Sequence, residues 1–124
     1  EKAFDRVNHE YLLALIKTWN LGENFYNYIQ KTYLRAKSVI DINGESTGTI
    51  DINRGIRQGC PMSMMLYAMA TEPLAQRILR DQKISGIKLG AQEIKIQQYA
   101  DDITALISKK ESIDAIFAAS SEAL

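Results

Sequence analysis

Two adjacent carboxylates, Asp101 and Asp102, lie between two apolar runs of strand character, and this pattern constrains the fold of the 124-residue chain more than any other. The segment from 96 to 107 reads Ile-Gln-Gln-Tyr-Ala-Asp-Asp-Ile-Thr-Ala-Leu-Ile. A tight turn between antiparallel strands pushes neighbouring side chains outwards, while apolar flanks anchor the strands in a core. We therefore predict a hairpin that presents both carboxylates at its tip.

The chemistry of such a pair suggests a metal ion. Two carboxylates in one small volume repel each other unless a cation or a proton relieves them. Hard oxygen ligands suit Mg²⁺ or Mn²⁺, the ions that phosphoryl and nucleotidyl transfer use in pairs. Taken alone, the dipeptide favours an ordinary solvated turn over a metal site, because Asp is common in turns. The metal interpretation therefore needs support from other parts of the sequence.

Composition limits the class of protein. Fifteen basic and fifteen acidic residues cancel, so no global field attracts a polyanion, and any contact with nucleic acid has to be local. The single cysteine, Cys60, excludes an intrachain disulfide and fits a reducing compartment. No stretch reaches the length of a membrane span. We expect an intracellular protein of the nucleus, the cytoplasm or both, without a membrane partner.

Periodicity and turn residues predict the order of the elements. A helix follows Asn8, a good N-cap, and ends before Gly22; a second helix runs to about Arg35. A hairpin from Ser38 to Asn53 turns at Asn43-Gly44, a helix containing Pro73 follows, and strands at 87–89 and 93–98 precede the Asp-Asp turn. Ser108 and Glu111 have capping-box spacing before a final helix. This order is typical of an α+β fold with a mainly antiparallel sheet and helices packed on one face.

Three segments together resemble reverse transcriptases. They are Glu-Lys-Ala-Phe-Asp-Arg-Val at 1–7, Arg-Gly-Ile-Arg-Gln-Gly-Cys-Pro-Met-Ser at 54–63 and Tyr-Ala-Asp-Asp at 99–102, with Glu-Pro-Leu at 72–74 inside the third helix. The residues of these segments, their order and their separations are most similar to those in the enzymes of non-long-terminal-repeat (LINE-type) retrotransposons. The resemblance covers essentially the whole chain and implies an incomplete polymerase palm, a single domain over 1–124 that is truncated at both ends.

The resemblance implies roles for the Asp-Asp turn. Asp101 would be a catalytic ligand of two metal ions, Mg²⁺ or Mn²⁺, and Asp102 its supporting carboxylate. Tyr99 and Ala100 would lie against the primer terminus. Family members have a further metal-binding acid, which here would stand two places before Glu1 and therefore outside the chain. Asp5 matches a family position that is not a metal ligand.

The other two motifs imply a nucleotide site. Phe4 matches the steric gate that abuts the sugar of the incoming nucleotide, and the backbone amides of Lys2 and Ala3 would face its triphosphate. Gln58 and Gly59 match the segment that lines the nucleotide pocket, where glycine allows close approach of the backbone.

Some positions carry no implied role or depart from the family. Arg6 and His9 have no role in the motif, and we expect both to be solvated. Met64 stands where a second proline commonly follows the serine of this motif. That change could loosen the start of the helix without touching the chemistry.

The sequence therefore predicts the core of an RNA-directed DNA polymerase that extends a DNA primer on an RNA template with dNTPs, within a larger polyprotein. The isolated chain is predicted to be inactive. A group II intron or bacterial reverse transcriptase shares Tyr-Ala-Asp-Asp and is an alternative. So is a decayed or domesticated module that binds RNA or protein without catalysis. A palm-like nucleotide cyclase is disfavoured, because its Gly-Gly-Asp/Glu-Glu-Phe turn is missing.

Overall fold

The computed structural model describes the backbone of residues 3–123 and the side chains of residues 3–121. A 3-10 turn, Ala3–Arg6, precedes four helices: α1 (His9–Trp19), α2 (Glu23–Tyr33), α3 (Ser63–Arg80) and α4 (Ser112–Ala123). The strands are β1 (Ala36–Ser38), β2 (Asp41–Ile42), β3 (Glu45–Ser46), β4 (Ile50–Ile52), β5 (Ile87–Leu89), β6 (Gln92–Ile94), β7 (Ile96–Tyr99) and β8 (Asp102–Ala105). In this part of the chain, no helix is both long and apolar enough to cross a membrane.

The described strands pair as four separate two-stranded antiparallel sheets. β1 pairs with β4, β2 with β3, β5 with β6 and β7 with β8. The α+β class and the antiparallel pairing are therefore confirmed, although the strands form four short ladders and not one sheet.

The predicted start of α1 and the predicted hairpin turn are confirmed. Asn8 caps α1, since its side-chain oxygen accepts a 3.0 Å hydrogen bond from the backbone N–H of Tyr11. Asn43 and Gly44 connect β2 and β3 with φ values of 52° and 85°. Two consecutive positive φ values match the right-handed twist of a hairpin, which is why Asn-Gly is favoured there.

The chain divides into two compact units, Glu1–Leu66 and Tyr67–Leu124. In the first unit α1 and α2 contact each other, and their buried residues include Leu12, Ile16, Ile29 and Tyr33. The core of the second unit is built on Ile78, Ile84 and Ala119, with partly buried apolar residues packed around them: Leu74, Ile96, Ile107, Ala115 and Ile116. The second core thus joins α3 and α4 to strand β7.

The predicted strand at 93–98 is interrupted at Lys95, which separates β6 from β7. The Lys95 side chain is buried, and its Nζ donates hydrogen bonds to the carbonyls of Leu79 (3.2 Å) and Asp81 (2.8 Å). The last carbonyls of a helix lack partners within the helix, so the ammonium group satisfies the end of α3.

The predicted capping box before α4 is wrong, because the helix begins at Ser112 and not near Ser108. Ser108 is bound elsewhere: its backbone N–H donates to the carbonyl of Ser85 at 2.9 Å. The buried Ser112 hydroxyl accepts from the N–H of Ser85 at 3.0 Å and donates to the carbonyl of Lys83 at 3.3 Å. These contacts hold the segment before β5 against the start of α4.

The expectation that His9 is solvated is also wrong, whereas Arg6 is exposed as expected. His9 is the first residue of α1 and only 5% exposed. Its ring packs edge-to-face against Tyr33, with the ring centroids 5.1 Å apart. The side chain of His9 therefore faces the interior of its unit, whereas Glu10 and Tyr11 in the same turn are exposed.

Candidate active site

The Asp-Asp segment is a tight hairpin between β7 and β8. Tyr99 pairs with Asp102 as the last register pair, so Ala100 and Asp101 form the turn. Both carboxylates are exposed. The hairpin predicted from the apolar flanks is therefore confirmed, and its tip carries the two acids.

The turn contains a residue in an unfavourable conformation. Ala100 has a φ of 52°, in the left-handed region. That region costs an L-residue other than glycine about 1–2 kcal/mol, because Cβ crowds the following carbonyl oxygen. Strain of this kind persists only where the surrounding structure fixes the backbone.

The hairpin is fixed to helix α3 by side-chain hydrogen bonds. Gln98 Nε2 donates to Thr71 Oγ1 at 2.6 Å, and the Thr71 hydroxyl donates to the carbonyl of Tyr67 at 3.1 Å. Ile96 packs into the core of the second unit at the other end of β7. Strand β7 is therefore held at two points, which limits the freedom of the turn that follows it.

Tyr67 lies near the carboxylate of Asp101. The side chain of Tyr67 is 5% exposed. Burial raises the pKa of its hydroxyl, and the negative charge of Asp101 raises that pKa further. Both effects disfavour a phenolate, so Tyr67 is a neutral hydroxyl beside the turn. The sequence prediction missed Tyr67, although it shares helical spacing with Ala70 and Leu74 on the apolar face of α3.

A second feature is a pocket of about 460 Å³ in the first unit. Its lining residues are Phe4, Gln58, Gly59, Cys60, Pro61, Ser63 and Met64. Phe4, Gln58 and Gly59 come from two motifs far apart in sequence, and they were predicted to share a nucleotide site. The fold brings them to one concavity.

Backbone hydrogen bonds between two segments build this pocket. The N–H of Ile56 donates to the carbonyl of Phe4, and the N–H of Gly55 to the carbonyl of Val7, both at 2.8 Å. Gly55 has a φ of +98°, and a Cβ there would lie 3.4 Å from the backbone of Asp5. That distance is ordinary van der Waals contact, so the positive φ, which glycine adopts without a steric penalty, is the reason that glycine suits this position.

The other side of the pocket is fixed by the start of α3. The hydroxyl of Ser63 donates to the carbonyl of Arg57, and the backbone N–H of Ser63 donates to the carbonyl of Cys60 at 3.0 Å. Gln58 Nε2 makes a long contact of 3.4 Å with Asp5 Oδ1. The loop that carries Gln58 and Gly59 is therefore tied at both ends.

The remaining predicted site residues are placed as follows. Ala3 and Phe4 are the first two residues of the 3-10 turn. The side chain of Tyr99 is 82% exposed beside the Asp-Asp turn. Lys2 lies outside the described residues. The pocket belongs to the first unit, and the Asp-Asp turn belongs to the second.

The donor set of the turn suits a hard divalent cation. Asp101 and Asp102 offer carboxylate oxygens to solvent, and such ligands fit Mg²⁺ or Mn²⁺. Within residues 3–123, no group of three or more His, Cys, Asp or Glu side chains could enclose a metal ion. The metal role of Asp101 and Asp102, and the further acid before Glu1, stay predictions.

Comparison with known families gives the class of the chain. The model of the family described as reverse transcriptase (RNA-dependent DNA polymerase) matches residues 1–124. The chain therefore belongs to the reverse transcriptase family, and the resemblance seen in its three motifs is confirmed. This membership argues against the nucleotide cyclase alternative.

Individual relatives are proteins of transposable elements. The chain is 32% identical over 131 aligned residues to the transposon TX1 uncharacterized 149 kDa protein of Xenopus laevis, covering 99% of the chain and 10% of that protein. It is 29% identical to the Pol polyprotein of a type-1 retrotransposable element R2 from Nasonia vitripennis, covering 93% of the chain and 11% of the relative. A related R2 polyprotein from Popillia japonica is 30% identical, and the match covers 85% of the chain and 17% of that polyprotein. The chain thus spans between a tenth and a fifth of the length of these relatives.

Proposed function

We propose that this chain is the catalytic core of an RNA-directed DNA polymerase from a LINE-type retrotransposon. It would add dNMPs to the 3′-hydroxyl of a DNA primer on an RNA template. The observation that carries the proposal is the β7–β8 turn, which presents two exposed carboxylates in a chain of the reverse transcriptase family. The R2 relatives favour a retrotransposon enzyme over a group II intron or bacterial enzyme.

Asp101 and Asp102 would hold two Mg²⁺ or Mn²⁺ ions together with the acid expected upstream of Glu1. When bound, such ions lower the pKa of an attacking hydroxyl and neutralise charge on the phosphates. The chain contributes by holding the two carboxylates in a fixed position. The contact of Gln98 with Thr71 and the packing of Ile96 keep the turn in place, so that little reorganisation is needed when substrate binds.

The pocket lined by Phe4, Gln58 and Gly59 would receive the incoming nucleotide. In this proposal the Phe4 ring abuts the sugar and excludes a 2′-hydroxyl, the group that distinguishes ribose from deoxyribose. The amides of Lys2 and Ala3 would face the triphosphate. Tyr99 and Ala100 would contact the primer terminus.

The rest of the proposal concerns the whole protein. Its substrates would be an RNA template, a DNA primer and dNTPs, and its partners the other domains of a larger polyprotein. The chain would form a single palm-like domain, incomplete by itself, in a protein of the nucleus, the cytoplasm or both. The isolated 124-residue chain is expected to be inactive, so robust primer extension by it would contradict this part.

The decisive experiment is primer extension by the full-length protein with Mg²⁺, dNTPs and an RNA template. Asp101→Ala is expected to lower the rate by at least about a hundredfold, because metal binding contributes several kcal/mol of transition-state stabilisation. The matched control is Asp51→Asn, which removes another exposed carboxylate, one that pairs with Lys37 at 3.8 Å. Its rate is expected to stay within about twofold, because exposed ion pairs contribute little.

Two outcomes would contradict the proposal. Full activity of Asp101→Ala would remove the metal assignment. Template binding without any extension by the unmodified protein would favour the non-catalytic module instead.

A further inference from the structure

His9 makes a directed hydrogen bond that its place in the motif does not explain. Its Nε2 lies 2.7 Å from the carbonyl oxygen of Gly55, 46 positions along the chain. A carbonyl only accepts, so Nε2 carries the hydrogen and donates it. The backbone N–H of His9 also donates to the carbonyl of Asn53, at 3.1 Å. The start of α1 is therefore bound to the strand-like segment that leads into the pocket loop.

The peptide group between Gly55 and Ile56 is held at both ends. Its carbonyl accepts from His9, and its N–H donates to the carbonyl of Phe4 at 2.8 Å. Because a peptide group is planar and rigid, fixing its carbonyl also fixes the direction of its N–H. The hydrogen bond from His9 therefore helps to fix the peptide group that binds the carbonyl of Phe4. The His9 ring itself does not line the pocket.

The second ring nitrogen of His9 carries a cost that a purely aromatic side chain would avoid. His9 Nδ1 is buried and has no hydrogen-bond partner among the described residues. A buried polar atom without a partner is costly. A phenylalanine would pack against Tyr33 without that cost, but it would leave the Gly55 carbonyl without its donor.

We propose that His9 is a positioning residue of the nucleotide pocket. Through the Gly55–Ile56 peptide group it sets the separation between Phe4 on one side of the pocket and Gln58-Gly59 on the other. This inference rests on the proposed function, because it assigns to His9 the affinity for dNTPs and the discrimination against ribonucleotides. His9 does not touch substrate, so its loss changes binding and selectivity more than the rate of the chemical step.

The test compares four variants of the full-length protein in steady-state primer extension with dNTPs and with rNTPs. His9→Leu removes the donor at similar volume. His9→Gln keeps an amide donor where Nε2 lies, and His9→Asn carries the same amide one methylene short of that position. Leu13→Ala is the stability control, since Leu13 is also buried in α1 but its apolar side chain donates no hydrogen bond to the pocket loop.

For His9→Leu and His9→Asn we expect the KM for dNTPs to rise about tenfold and sugar discrimination to fall about fivefold, because the Gly55 carbonyl loses its donor. The kcat for dNTPs is expected to stay within about twofold, and His9→Gln is expected to restore both properties. Leu13→Ala is expected to lower the unfolding temperature while leaving KM and discrimination unchanged.

Wild-type KM and discrimination in His9→Leu would overturn the inference while leaving the proposed function intact. If His9→Leu does not fold, the pair His9→Gln and His9→Asn decides, and equal behaviour of the two overturns it as well. Absence of dNTP incorporation by the unmodified protein would instead refute the proposed function.

Discussion

The Gln98 side-chain amide donates a 2.6 Å hydrogen bond to Thr71 Oγ1, which joins strand β7 to helix α3 two residues before the turn begins. The Thr71 hydroxyl in turn donates a hydrogen bond to the carbonyl of Tyr67, at 3.1 Å. Thr71 is thus the acceptor from Gln98 and the donor to Tyr67. The position of the Asp-Asp turn relative to α3 depends on a short polar contact as well as on apolar packing.

Replacement of Thr71 by valine tests this contact, because it keeps the shape of the side chain and removes the acceptor. We expect the hairpin to open more readily by about 1–3 kcal/mol, since the Gln98 amide loses its partner. Amide hydrogen exchange of β7 and β8 in the full-length protein measures the change. Thr18→Val is the matched control, because Thr18 makes a similar bond to a helix carbonyl, that of Ala14, at an exposed position. Equal protection of the hairpin in both variants would refute the role of the contact.

Ala100→Gly is expected to stabilise the turn by up to about 1 kcal/mol, because glycine adopts a positive φ without a steric penalty. Ala105→Gly on β8 is the control, since Ala105 is not among the residues with positive φ. There we expect a loss of roughly 0.5–1 kcal/mol from the added freedom of the unfolded chain. Hydrogen exchange of the hairpin amides again provides the measurement, and opposite signs for the two substitutions are the expected result. A loss of stability in both would show that the Ala100 conformation carries no strain.

Phe4→Ala is expected to increase the incorporation of rNTPs relative to dNTPs by about tenfold or more, because removal of the ring opens space for a 2′-hydroxyl. The ratio of kcat/KM values for the two nucleotide types is the measurement. Phe117→Ala serves as control, since Phe117 is an exposed aromatic on α4. An unchanged ratio in Phe4→Ala would refute the proposal that the Phe4 ring excludes a 2′-hydroxyl.

Lys95→Met is expected to destabilise the end of α3 by about 2 kcal/mol, because the carbonyls of Leu79 and Asp81 lose their buried donor. Exchange rates of the amides in the last turns of α3 report this loss. Lys88→Met, at an exposed position on β5, is expected to change stability by no more than about 0.5 kcal/mol. If both variants behave alike, the ammonium of Lys95 does not stabilise the helix end.

The features that sequence predicted correctly are those decided by neighbouring residues. Asn8 caps α1 through an N–H three positions away, and Asn43-Gly44 turns the chain through its own backbone preferences. The Asp-Asp hairpin belongs to the same class, because its apolar flanks and its two-residue turn lie within one short segment.

The features that sequence missed depend on partners far along the chain. His9 is buried because its ring meets a carbonyl 46 positions away, and α4 begins late because Ser112 binds backbone 27 and 29 positions away. The predicted strand at 93–98 divides at Lys95 because the residues before it pair with β5 and those after it pair with β8. Local periodicity carries no signal for such contacts, so polar residues of this kind are predicted as solvated or as ordinary caps.

The four short ladders have a practical consequence for anyone who produces this chain in isolation. Each described sheet has only two strands, so every strand keeps one edge whose backbone N–H and C=O groups are unpaired within that sheet. In the first unit these strands also carry exposed isoleucines, among them Ile42 at 61% and Ile52 at 37%. Open edges with apolar side chains act as templates for strands of other molecules. We therefore expect the isolated chain to self-associate as its concentration rises, and fusion to a highly charged carrier to suppress that aggregation.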